Sequence, residues 1–166
     1  MVKHPRDKVW LAIRDNLSEV VPHLDDVASI TTEQREEQAD NVLQLVNLWK
    51  ADIDIPTMLT SMLDPDSLRW TDRASWHTQD YKCHWQIEPH FFAERIQCKG
   101  ITTYEPAIGE RGTRITFEGQ LEVSTHNLPG LPAMIEKSAD KAVEALVTTL
   151  IPKNFRKITD ALSEII

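Results

Sequence analysis

The sequence predicts an α+β protein, a curved antiparallel sheet wrapped around a long C-terminal helix, and three observations predict it. The stretch from Leu128 to Ile166 opens on the breaker cluster Leu128-Pro129-Gly130-Leu131-Pro132 and then holds no glycine, so a long helix starts near Pro132. Ahead of it, several runs alternate apolar and polar residues with the period of two that half-buried strands show. The links between those runs are too short for a crossover, which leaves antiparallel neighbours only.

Taken in order, Pro5 to Asn16 reads as a first helix. Pro5 lies in its first turn, Asp7 near the positive end of its dipole, and Val9, Trp10, Ile13 and Leu17 share one face. Leu17 to Leu24 continues as a second short helix interrupted at Pro22. Val27 to Thr32 and Asn41 to Ile55 form two antiparallel strands, joined by the polar run Thr31 to Asn41, in which Glu33, Glu36, Glu37 and Asp40 make a solvated hairpin tip. Pro56 to Leu63 reads as a small helix ended by Asp64-Pro65-Asp66.

Leu68 to Gln79 is a strand whose Leu68, Trp70, Asp72, Ala74 and Trp76 share a face, and Tyr81, Cys83, Trp85 and Ile87 alternate in the next, closed by Pro89. Phe91 to Tyr104 is a further strand with Gly100 as a bulge or a close backbone approach. Glu105-Pro106 and Gly109 to Gly112 make a turn. Thr113, Ile115, Phe117, Gly119, Leu121 and Val123 then alternate with polar residues. In the terminal helix a first apolar stripe of Met134, Ile135, Ala139, Ala142, Val143, Leu146 and Leu150 gives way to Ile151, Phe155, Ile158, Leu162 and Ile165. At about 100° per residue the second stripe points roughly 140° away, and the change falls at Pro152, where a kink or break is expected.

With 166 residues and no internal repeat or flexible linker, the chain reads as one domain over 1–166. Its 41% hydrophobic and 27% charged content and five Trp exclude a disordered chain, and no apolar run approaches the roughly 20 residues that span a bilayer, so integral membrane association is not expected. A formal charge of −8 with scattered Lys and Arg argues against nucleic acid. Met1 to Arg14 has no export signal, and two cysteines, Cys83 and Cys98, suit a reducing compartment, so the expected location is the cytoplasm.

Certain short segments look like a known family. Pro5-Arg6-Asp7-Lys8-Val9-Trp10 resembles the opening of the first helix in the START-like or SRPBCC superfamily, Gly112-Thr113-Arg114 its turn into the last strand, and Gly130-Leu131-Pro132 the start of its final helix. Leu68-Arg69-Trp70 and Trp85-Gln86-Ile87-Glu88-Pro89 are similar to segments of uncharacterised polyketide cyclase-like members. The resemblance covers nearly the whole chain and implies a helix-grip fold with an apolar cavity between sheet and terminal helix, for lipids, polyketides or other apolar molecules. Family members usually carry a full strand before the first helix. Here at most Met1 to His4 is available, which implies either a shortened first strand or a chain that begins late.

If the terminal helix covers the concave face, strand parity puts Trp70, Trp76, Tyr81, Trp85, Tyr104 and Phe117 on or near it, joined by Trp49. Such rings either hold a flat apolar ligand or simply fill the core. Asp72 shares the parity of Trp70 and Trp76. A carboxyl there must be hydrogen-bonded, protonated or paired with an arginine such as Arg95 or Arg114, and a raised pKa would suit acid-base catalysis with Tyr104. His77, Cys83, His84, His90 and Cys98 match no closed zinc spacing, and no metal or other cofactor is expected. Cys83 and Cys98 are placed opposite each other across the Pro89 hairpin, without a disulfide. No phosphate loop or nucleophile elbow occurs.

Three functions are compatible with these residues. The first is binding of a hydrophobic small molecule, a lipid, polyketide or aromatic metabolite, with Pro56 to Leu63 and Gly109 to Gly112 as the gate. The second is a polyketide cyclase or dehydratase-type enzyme using buried Asp72 and Tyr104. The third is a protein-interaction module with a closed core that docks a partner through Trp10 or the Pro152 segment.

Overall fold

Among the described residues, six strands form one antiparallel sheet in the computed structural model, each hydrogen-bonded to its neighbours in sequence. The structure describes residues 1–54, 68–91, 93, 96–123 and 133–166, with side chains of the last segment at 141, 144–145, 148–149, 153–162 and 164–166. The elements are α1 (Arg6–Asp15), β1 (Val27–Gln38), β2 (Val42–Ala51), β3 (Arg69–His77), β4 (Lys82–Pro89), β5 (Ile96–Ala107), β6 (Gly112–Val123) and α2 (Ala133–Ile165). This is the α+β arrangement expected, a curved open sheet with a long C-terminal helix.

Ahead of α1, residue Val2 forms a single bridge to β6. Val2 and Thr113 exchange backbone hydrogen bonds at 2.9 and 2.8 Å, and the Thr113 hydroxyl donates to the His4 carbonyl at 2.7 Å. Pro5 is the N-cap of α1 rather than part of its first turn, and its extended ψ of 146° turns the chain from the bridge into the helix. Val9, Trp10, Ala12 and Ile13 of α1 are buried, at spacings of one helical face. The following segment is a 3-10 helix, Leu17–His23, that runs past Pro22 instead of stopping there. A proline inside a 3-10 turn gives up only a local hydrogen bond.

The acidic run is strand and not loop. β1 continues to Gln38, paired with β2 through a register shift between Thr32 and Gln34, and only Ala39–Asn41 make the hairpin tip. Beyond Ile30 every residue of β1 is exposed, so this charged edge strand gives no alternation to read, and charge keeps such an edge from pairing with other chains. β5 likewise runs through Glu105 and Pro106 to Ala107, and the turn is Ile108 to Arg111. Gly100 is a close approach: a Cβ there would lie 2.1 Å from the Glu118 carbonyl oxygen and 2.3 Å from Trp85 Cζ2, while the β4–β5 register runs on without irregularity.

The break expected at Pro152 is absent, because the backbone stays helical from Ala133 to Ile165. A helix of 33 residues can lose the one hydrogen bond a proline removes when its far end is held by packing. Ile158, Ala161 and Leu162 are buried in the core beside α1 and the 3-10 helix. Lys153 and Lys157 pair with Asp26 and Asp25 on the segment that leads into β1. The side chains of the helix's first apolar stripe, the small helix expected at Pro56 to Leu63, and the Leu128 to Pro132 breakers lie outside what the structure describes. Among the described residues no helix is long and apolar enough to cross a membrane.

Candidate functional site

The inner face of the sheet has a filled end and a hollow end. At the filled end Trp10 of α1 meets three rings edge-on, Trp76 at 4.8 Å, Tyr104 at 5.1 Å and Tyr81 at 5.2 Å between centroids. Trp10 is only 2% exposed and therefore presents no docking face. Tyr81 sits in the β3–β4 turn at a φ of 53°, with the Arg6 guanidinium 3.5 Å above its ring, and it does not line the cavity that strand parity assigned to it. The turn residue escapes the parity of the strand it precedes. A hydrogen bond with Asp7 and burial push its phenol above the ordinary value.

The hollow end is a cavity of about 150 Å³ between the sheet, α1 and the second half of α2. One wall is the stacked pair Trp49 and Trp70, 5.4 Å apart and 23° from parallel. The other is a column rising from sheet to helix: Trp85 stacks on Phe117 at 4.5 Å and 5°, and Phe117 meets Phe155 at 4.4 Å. Trp85 lies over the backbones of Gly100 and Gly119, where any Cβ would strike its ring. Trp76, Tyr104, Ile13 and Leu17 bound the cavity toward the filled end, and Ile87, Pro89 and Phe91 bound it toward the other. Of the residues expected to face a ligand, the structure thus brings Trp49, Trp70, Trp76, Trp85, Tyr104 and Phe117 together and leaves out Tyr81.

The polar groups on this apolar lining are few. Asp72 stands in a cross-strand row in which Thr32 pairs with Asn47, Asn47 with Asp72 and Asp72 with Ile87. The Thr32 hydroxyl donates to Asn47 Oδ1 at 2.8 Å, which turns the Asn47 amide N–H toward the Asp72 carboxylate. Burial pushes the Asp72 carboxyl up to about 6, and hydrogen bonds from Asn47 and the Trp49 indole oppose that shift. The Trp49 N–H lies near the carboxylate but short of good hydrogen-bond geometry, so it is a weak partner. The arginine pairing expected for Asp72 is not formed with Arg114, which is exposed, and Arg95 lies outside the described residues.

Tyr104, 3% exposed, has its phenol pushed well above the ordinary value by burial and then by the Cys83 and Asp72 charges. Burial pushes the Cys83 thiol, beside Asp72, well above its ordinary value and raises that of Cys98 to about 11, so both thiols stay protonated. The two are not opposite each other, since Cys83 pairs with Thr102 and Cys98 with Ile87. The sheet also separates the five candidate metal ligands. Cys83 and Cys98 are buried, His77 and His84 lie edge to face at 5.0 Å on the outer surface, and His90 bonds Thr71 at 2.8 Å.

Two polar lining residues had escaped the sequence reading. Thr102 accepts the Trp85 indole N–H at 3.1 Å and fixes that ring. Asn154 on α2 is 5% exposed, and its Oδ1 is buried without a hydrogen-bond partner. An asparagine at a core-facing helix position, one residue before Phe155 and four before Ile158, was the available signal. The gate expected at Gly109 to Gly112 is misplaced. Gly112 backs onto Val2 and Ile108 at the filled end, and no residue of that turn lines the cavity.

No family model matches the chain, and no curated protein matches it either. Solved structures do. The chain aligns over 97% of its length with 88% of the Zhui aromatase/cyclase from Streptomyces sp. R1128, at 14% identity and a TM-score of 0.66. It aligns over 98% of its length with 42% of the di-domain ARO/CYC StfQ from the steffimycin biosynthetic pathway, at 16% identity and a TM-score of 0.52. Ara h 8.0201 matches at 15% identity and a TM-score of 0.50, over 97% of this chain and 91% of that one. At such identities the likeness establishes the fold.

Proposed function

From the START-like (SRPBCC) helix-grip fold that the chain adopts, we propose that it binds a hydrophobic small molecule, a lipid, polyketide or aromatic metabolite, between the sheet and α2. The observation that carries this reading is the cavity itself: about 150 Å³ walled by two separate ring stacks that leave the space between them unfilled. An apolar cavity of that size in another protein stays dry and takes benzene. Flat aromatic walls reward a flat apolar guest, and the scarce polar groups orient it. The void also disfavours the closed-core interaction module, as does the burial of Trp10. Native mass spectrometry of protein purified from its own source tests the proposal. A retained apolar molecule that protects Trp49 and Trp85 fluorescence from quenching is the expected result. Protein that emerges empty and leaves neutral aromatic probes unbound overturns it.

A second reading has one observation in its favour, the Asp72 carboxyl poised near 6 beside a Tyr104 hydroxyl that keeps its proton. At neutral pH such a carboxylate can take a proton from an acidic carbon between two carbonyls of a polyketone, while Tyr104 donates a hydrogen bond to the developing enolate oxygen. The fold shared with aromatase/cyclases supports that chemistry as an extension of binding. Asp72→Asn would then abolish turnover of a bound polyketone and spare its binding.

A further inference from the structure

The described lining of the cavity holds one ionisable carboxyl and no Lys, Arg or His. Among the described residues Asp72 faces only neutral donors, the Asn47 amide and the Trp49 indole, so its charge enters an apolar space without a counter-ion from them. On the helix side Asn154 Oδ1 is an acceptor buried without a partner, a condition that costs on the order of 1–3 kcal/mol until a donor arrives. Asn154 Oδ1 lacks a proton donor altogether, and the Asp72 carboxylate has one well-placed donor, the Asn47 amide, so each can accept a further hydrogen bond from a guest; the unpartnered indole N–H groups of Trp49 and Trp76 belong to the ring walls. The ring walls add a shape requirement, since Trp85 and Phe117 are within 5° of parallel and Trp49 and Trp70 within 23°.

We propose that the cavity selects its guest by charge, taking neutral planar molecules that carry a hydrogen-bond donor such as a phenolic hydroxyl and rejecting carboxylate-headed amphiphiles such as fatty acids. The proposal rests on the binding reading above and narrows it. A second carboxylate in the same water-poor space would repel the first, because Coulomb energies there exceed their values in water several-fold. A neutral donor instead completes Asn154 or Asp72 and keeps its ring between the walls.

Toluene, p-cresol and p-toluate share a methylated ring and differ only in the polar group, so they separate the two claims. Each is titrated at about pH 8, where Asp72 is ionised, into the wild-type protein and into Asp72→Asn and Asn154→Leu, following the tryptophan indole signals by NMR. Wild type should bind toluene, should bind p-cresol at least as tightly despite its stronger hydration, and should bind p-toluate at least about tenfold more weakly than p-cresol. In Asp72→Asn the p-toluate affinity should rise about tenfold while that of toluene stays within about twofold. In Asn154→Leu p-cresol should fall below toluene. Failure of toluene to bind overturns the cavity reading itself. Toluene binding with p-toluate as tight as p-cresol, or p-toluate unmoved in Asp72→Asn, overturns charge selection alone. If Asp72→Asn fails to fold, the p-cresol to toluene ratio in Asn154→Leu decides, and an unchanged ratio counts against the proposal.

Discussion

The two ends of the sheet's inner face carry the same kinds of residue and do opposite things with them. At the filled end, rings from α1, β3, β5 and the β3–β4 turn interlock edge to face around Trp10. At the hollow end, rings stack in pairs along the walls, Trp49 on Trp70 and Trp85 on Phe117, and leave the centre free. Aromatic content therefore does not separate a core from a cavity; the covering element does. α1 drives a tryptophan into the middle of the first group, whereas α2 presents Asn154 and Phe155 to the second.

The largest effect should come from removing the plug. Trp10→Ala should cost about 3–5 kcal/mol by urea denaturation, because the ring is fully buried among three others. Trp70→Ala, at a half-buried wall beside existing empty space, should cost less than half as much. Equal costs would erase the distinction between the ends.

The next effect depends on pH. The folded pKa of Asp72, about 6, lies above the ordinary 3.8, so the native state holds this proton more tightly than the unfolded chain does. Its contribution is most favourable below pH 4, is lost as pH rises through 6, and is then flat. Asp72→Asn should accordingly match the wild type near pH 4 and exceed it by up to about 3 kcal/mol above pH 7. Parallel stability curves for the two proteins across this range would show that Asp72 titrates as an exposed carboxyl.

The same contrast explains what could be read from the chain. The parity of β2 to β6, together with the breakers around them, placed six of the seven expected ring residues on the cavity, because a pleated strand fixes which face a side chain takes. Parity cannot tell which rings a helix from elsewhere will wedge apart, so Trp10 looked available for docking and Tyr81 looked like cavity lining. The length of β1 was hidden for a different reason: one long stretch of it is exposed, and without a buried face there is no period to detect. Asn154 lacked any mark in sequence that its amide oxygen would end unpartnered.

The smallest effect tests whether the hollow end is held from outside. Thr32 lies on the exposed edge strand, yet its hydroxyl fixes the Asn47 amide, which is 3% exposed and in turn donates to Asp72. Thr32→Val keeps the shape and removes the donor, leaving Asn47 Oδ1 unmatched at a cost of about 1 kcal/mol. The freed amide can then turn its oxygen toward the carboxyl, which weakens the one good hydrogen bond favouring the charged form. The Asp72 titration, followed by carboxyl-carbon NMR, should move further upward in Thr32→Val and return in Thr32→Ser, whereas a merely local packing defect would lower stability and leave the titration where it was.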